Sequence, residues 1–295
     1  MRAEVQPASP AIRKLLRGWL ARRVEAKALA WLDGQHERLA ASAPDYIFFA
    51  AFSAVPRHTG KLRLSAEDTQ LNDDNRAHWA HWRVDQAGRT LLLLAVDSGD
   101  AEAYAGKLQK LSSCADLDEL IALYQSLPLL PHRQRLRALA AEGARSNMTA
   151  VFNAVALCNA YPAEHFDDGA WNQLVLKALF VESPLHLIEG LDRRANPELA
   201  RMLVDYAHER WAAKRRVSPE LWRPVGPYAD DSTVSDLEKV LADPDPLQQR
   251  AAALALLQSA CPRAAEVLAR RADLRAAIAQ GRLSWRVLAG GETTI

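Results

Sequence analysis

The chain has 295 residues, 49% apolar and 25% charged, with 37 lysines and arginines against 36 acidic residues for a net charge of +1. That profile excludes a disordered chain, and the near-neutral balance gives no electrostatic ground for a nucleic-acid or anionic-membrane partner. The three cysteines, Cys114, Cys158 and Cys261, are odd in number and far apart, so they encode neither a disulfide framework nor a CxxC metal site. They suit a reducing cytosol. The N-terminal Met1-Arg2-Ala3-Glu4-Val5-Gln6-Pro7 has no apolar core, so a cytoplasmic protein is expected.

In chain order, almost everything reads as helix. Ser9-Pro10 offers an N-cap and a first-turn proline. Ile12, Leu15, Leu16, Trp19, Leu20 and Val24 then give one long helix an apolar face. Pro44 opens a second helix that stops near Pro56. The apolar run at 46–55 falls short of the roughly 20 residues that a membrane span needs, so no span is expected. Residues 62–75 are polar and read as a loop with one short helix. His78 and His81, at i and i+3 with Asp73 and Asp74 upstream, can make a metal site, but the flanking Trp79 and Trp82 favour packing and no metal is expected. Arg89 to Val96 has the best claim to be a strand, yet its four leucines favour a buried helix. From Asp100 onward helices alternate with breaks at Pro128, Pro131, Pro162, Pro184, Pro197, Pro219 and Pro244. Asn196-Pro197 and Asp245-Pro246 each precede an amphipathic helix. This recurrence at about 45 residues suits the period of about 40–47 of HEAT-like helical pairs. The expected fold is an all-α, HEAT-like helical-repeat solenoid in a single compact domain. Within 1–295, residues 1–60 form an N-terminal helical part, 61–88 a polar loop region and 89–290 the repeat body.

Several polar groups stand where the pattern calls for apolar ones. A helix from Ala170 to Phe180 would be apolar almost all round, which predicts an interior position for Trp171 and Leu176. Asn172, Gln173 and Lys177 are written into it, and buried polar groups need partners. Lys177 can be a desolvated amine or an anion's partner; the plainer reading is a salt bridge to Asp192 or Glu182. For Asn172 the plain reading is bonding to backbone carbonyls. On a helix from Pro197 to Ala213, Leu199, Met202, Leu203 and Tyr206 form a stripe that Arg210 continues. Arg210 there pairs with an acid or faces a ligand, while Arg201, Asp205 and His208 share the opposite face. Asp192-Arg193-Arg194 lies just before that helix, where two arginines can take a phosphate or carboxylate or simply tie two repeats together. Asn147, Asn153 and Asn159 are spaced by six along a helix over 146–160; six residues turn about 600°, so they do not share one face. Tyr161 and His165 fall in the turn that follows.

The runs Tyr161-Pro162-Ala163-Glu164-His165-Phe166, Trp171-Asn172-Gln173, Leu191 to Leu203 and Asp205-Tyr206-Ala207-His208-Glu209-Arg210-Trp211 resemble the EboA family of metabolite-traffic proteins. Ala51 to His58 and Trp82 to Arg89 are similar to it too, so the likeness covers roughly residues 45 to 260. The resemblance implies a part in making or exporting a secondary metabolite. It also implies a gene cluster that encodes a prenyltransferase-like membrane protein and soluble enzymes. It brings no catalytic residues and no cofactor. The expected partners are a small metabolite, prenylated or phosphorylated, and other proteins of that cluster. The expected binding groove, between 146–160, 171–182 and 197–214, draws its candidates from Asn153, Tyr161, His165, Trp171, Asn172, Lys177, Asp192, Arg193, Asp205, His208 and Arg210. An enzyme acting on the same intermediate through His208 or Lys177, and a scaffold without a small-molecule site, are the rival readings.

Overall fold

The computed structural model describes residues 9–41, 43–64 and 81–290. Asp73, Asp74, His78 and most of the expected polar loop lie outside them. Seventeen α-helices and no strand occur among the described residues; a single antiparallel bridge joins Arg63 to Arg83. The chain divides into two compact units, Met1–Phe166 and Asp167–Thr294. No helix among the described residues is long and apolar enough to cross a membrane.

The first unit carries α1 (Ser9–Leu20), α2 (Ala26–Ala40), α3 (Asp45–Thr59), α4 (Val84–Ala95), α5 (Ala101–Cys114), α6 (Leu117–Ser126), α7 (Arg137–Arg145), α8 (Thr149–Ala156) and α9 (Tyr161–His165). The segment that had a claim to be a strand is α4, and α1, α2, α3 and α6 pack around it. All its residues are buried, including Asp85, Gln86, Arg89 and Thr90. Burying such groups is costly unless each is answered. Arg89 donates to Asp85 at 2.9 Å and to the Phe52 carbonyl at 3.2 Å. Gln86 accepts from the Arg83 amide at 2.7 Å, and Thr90 meets Ser126 at 2.7 Å. Three helices of this unit differ in length from the sequence reading. Helix α1 stops at Leu20, so Val24 lies beyond it, in the link to α2. Helix α3 runs past Pro56 to Thr59 and ends at Gly60, whose φ of 71° is left-handed. The helix expected over 146–160 is the shorter α8, because Asn159 intercepts its end. The Asn159 amide donates to the Ala154 carbonyl at 2.8 Å and to the Tyr124 carbonyl at 3.1 Å, and its oxygen accepts from the Tyr161 amide at 3.0 Å. Tyr161 and His165 therefore sit on a short helix rather than in a turn.

The second unit carries α10 (Asp168–Phe180), α11 (Pro197–Ala212), α12 (Trp222–Val225), α13 (Asp231–Leu241), α14 (Pro246–Gln258), α15 (Pro262–Ala269), α16 (Ala272–Ala279) and α17 (Trp285–Leu288). Its hub is α14, where small buried residues at 251–253 and 255 let α12, α13, α15, α16 and α17 pack against it. The helix starts follow the sequence. The side chains of Asp167, Asn196, Asp230 and Asp245 accept amide hydrogens of the first turns they cap, at 2.8 to 2.9 Å. Proline follows directly at 197 and 246. Helix α10 is less uniformly interior than expected. Trp171, Asn172, Leu174, Val175, Ala178 and Leu179 are buried, but Leu176 and Lys177 are half-buried and Phe180 is 76% exposed. Positions 173, 176, 177 and 180 fall on one side of a 3.6-residue helix, and that side faces outward.

Candidate functional site

Helices α10 and α11 run in the same sense within the second unit. Near their N-terminal ends Asn172 and Asn196 exchange side-chain hydrogen bonds, at 2.9 Å and 3.3 Å. Asn196 also accepts the Leu199 amide, so one residue caps α11 and answers the buried Asn172. Asn172 thus bonds a side chain rather than the backbone carbonyls expected of it. At the opposite ends both helices stop on a non-glycine residue in the left-handed region, Glu182 with φ 59° and Lys214 with φ 55°. Such a conformation costs a side chain roughly 1–2 kcal/mol. The bonds from the Ser183 amide to the Ala178 carbonyl and from the Arg215 amide to the Arg210 carbonyl, both 2.8 Å, close the two helix ends.

These C-terminal ends frame a cavity of about 290 Å³. Leu179, Pro184 and Val217 give it apolar wall; Glu182, Arg210 and Glu220 give it charge. Tyr206 also lines it, with the Arg210 guanidinium 6.0 Å from its ring centre. Arg210 donates through Nε to the Arg216 carbonyl at 3.0 Å and forms no ion pair among the described residues. Glu220 is committed: it accepts the Leu185 and His186 amides at 2.8 and 3.1 Å and lies 2.7 Å from His186 Nδ1. The stripe of α11 that faces the core is Leu199, Ala200, Leu203 and Ala207, not Met202 and Tyr206. Tyr206 and Arg210 stand at its margin, which is what lets them reach the cavity.

The other candidate residues are spread out. Asp192 takes a two-pronged bond from Arg223, both arms 2.6 Å, while Arg193 is exposed. It is Arg194 that turns inward, donating to Asp168 at 2.8 Å and stacking over Trp171 at 5.1 Å. Asp205 pairs with Arg201 at 2.9 Å on the solvent face. His208 Nε2 lies 2.6 Å from Asp236, a nearly buried carboxylate that also holds Lys239 at 2.9 Å. Partial burial lowers the pKa of Lys177, which does not line the cavity, and neither does Arg193. Asn153, Tyr161 and His165 belong to the first unit. There Tyr161 is fully buried, donates to the Arg133 carbonyl and packs on His165 with ring centres 4.6 Å apart. Burial raises the Tyr161 pKa well above its ordinary value. Among the described residues no group of three or more His, Cys, Asp or Glu is placed to hold a metal ion. Arg216, Glu220 and Pro184 were missed by sequence reasoning. The signal available for Arg216 was the triplet Lys214-Arg215-Arg216 directly after a helix.

No curated protein and no solved structure matches the chain. The profile of the EboA family, described as metabolite traffic protein EboA, matches residues 12–226, well over half the sequence and including Arg210, Arg216 and Glu220 of the cleft. The chain belongs to the EboA family.

Proposed function

We propose that this EboA-family protein is a cytoplasmic carrier that takes up a small metabolite with a polar or anionic head, prenylated or phosphorylated, in the Arg210 cleft. It hands that metabolite between proteins of its gene cluster. The observation that carries this reading is Arg210 itself. Its guanidinium is half-buried, held by one backbone carbonyl, and opens onto a cavity with no ion-pair partner among the described residues. A guanidinium presents five donors in a planar fork, so most of its capacity remains for a ligand, and bonds to a charged partner are about twice as strong as neutral ones. The apolar wall of Leu179, Pro184 and Val217 suits the rest of such a molecule. The cysteines, which include an exposed Cys114 and form no disulfide, support a reducing compartment. The capped, proline-initiated α11 and α14 support a HEAT-like stacking of helical pairs. Native mass spectrometry of the protein purified from its own host tests the proposal. A retained small molecule is expected in the wild type and its loss in Arg210→Met, with unchanged circular dichroism. Arg210→Met loses one side-chain to backbone bond, about 1 kcal/mol. A variant that keeps the molecule, or that unfolds, refutes the reading and favours a scaffold.

The bond between His208 and Asp236 favours a second reading. An exposed imidazole aligned by a nearly buried carboxylate is the arrangement of a general base. Conversion of the retained molecule by the wild type but not by His208→Asn would make the protein an enzyme rather than a carrier.

A further inference from the structure

Lys214, Arg215 and Arg216 are the only three consecutive basic residues in the sequence. They follow α11 directly and enter a second cavity, also of about 290 Å³, whose lining includes Trp211, Lys239 and Asp243. Arg216 and Val217 line both this cavity and the Arg210 cleft, so one short stretch of chain separates the two. Two of the four cations are paired, Arg216 with Asp245 at 2.5 Å and Lys239 with Asp236 at 2.9 Å. Neither of those carboxylates lines the cavity. Lys214 and Arg215 form no ion pair among the described residues, and Asp243, the acidic residue of the lining, accepts the Asp245 amide at 2.8 Å. A cation at a helix C-terminus answers a dipole equivalent to about half a charge. One lysine meets that need at α11, and the triplet exceeds it. Lys214 also holds the left-handed position that glycine takes without strain. A glycine at 214 would relax the backbone there.

We infer that this second cavity is a phosphate subsite, so that the metabolite held in the Arg210 cleft is a phosphate or diphosphate ester whose phosphate crosses beside Arg216 into the Lys214–Arg215–Lys239 pocket. The inference rests on the reading of the Arg210 cleft as the metabolite site, and its test is separate from that reading. Titration calorimetry at low salt uses pyrophosphate and inorganic phosphate as probes on the intact protein. Pyrophosphate is expected to bind more tightly than phosphate and to weaken with added salt. A Lys214→Gly/Arg215→Gln variant should bind pyrophosphate at least tenfold more weakly. Lys214→Gly alone should weaken binding while leaving the melting temperature equal or higher, an outcome that a purely structural lysine would not give. The cleft is tested by the host molecule that the wild type retains and the subsite by pyrophosphate, so failure of the one is distinguishable from failure of the other. Pelleting with phosphatidylcholine vesicles that contain phosphatidate separates the sources of phosphate. Capture that needs Lys214 and Arg215 assigns a lipid phosphate; pyrophosphate binding without capture assigns a soluble ester. No heat with millimolar pyrophosphate and no capture, or equal affinities in the wild type and the double variant, overturns the subsite.

Discussion

Asn196 does two jobs with one amide. It caps α11 through the Leu199 amide and pairs with the buried Asn172. Losing an N-cap costs about 1 kcal/mol, and leaving a buried amide unanswered costs about 1–3 kcal/mol more. Asn196→Ala should therefore lose about 2–4 kcal/mol in urea melts, and Asn172→Ala should lose less, because Asn196 keeps its cap. Equal losses in the two variants would mean that the Asn196 cap contributes nothing to stability. A second residue-scale effect is set by charge. Lys61, and with it Arg83, holds the Asp118 carboxyl below its ordinary pKa. A carboxyl depressed in the folded state stabilises the fold while charged. That contribution is complete above the unfolded value of about 4 and is lost as pH falls below it. Stability measured between pH 5 and pH 2 should fall less steeply in Asp118→Asn than in the wild type; parallel curves would show that the carboxyl does not contribute.

At the scale of elements, α10 shows what a one-dimensional pattern can and cannot give. Its run of apolar residues implies an interior helix, and the structure buries Trp171 and Val175 completely. The same run does not say which quarter of the helix remains outside, because apolar residues fill both faces. Leu176 and Phe180 turned out to be on the outer one. Trp171→Ala should therefore cost about 3–5 kcal/mol, and Leu176→Ala well under half of that in the same denaturant series; a Leu176 loss equal to that of Trp171 would place the residue in the core. Helix starts were legible because capping is local: Asn196-Pro197 and Asp245-Pro246 hold their own first turns. Helix ends were harder. The end of α8 depends on Asn159 reaching the Tyr124 carbonyl of α6, a contact between residues 35 apart in the chain. The candidate site divided along the same line. Arg210 stood out because it interrupts a stripe, and it does reach a cavity. Lys177 and Arg193 looked equivalent in sequence but line neither of the two cavities beside Arg216, since only the path of 213–218 decides which cations meet.

For the whole molecule, the question is where a ligand leaves its mark. Binding to the folded state alone stabilises it by an amount set by concentration over Kd, about 2.7 kcal/mol at a hundredfold excess. Opening free energies differ across a structure, so the gain shows most clearly in segments whose local opening exposes the site. In this chain both cavities next to Arg216 are built from the second unit: the end of α10, the second half of α11, residues 214–220, and for the phosphate subsite the end of α13. The first unit has its own candidates, the packed pair of Tyr161 and His165, but Tyr161 is fully buried with its hydroxyl given to the Arg133 carbonyl. A tyrosine so engaged must break an internal bond before it can serve a ligand, whereas Arg210 needs to break none. Hydrogen exchange followed by mass spectrometry, comparing protein that retains its host molecule with protein stripped of it, should show slowing concentrated in residues 179–220. Pyrophosphate alone should slow 211–217 and the end of α13. Slowing centred on 149–166 would move the metabolite site to the first unit and leave the Arg210 cleft as a feature of the fold.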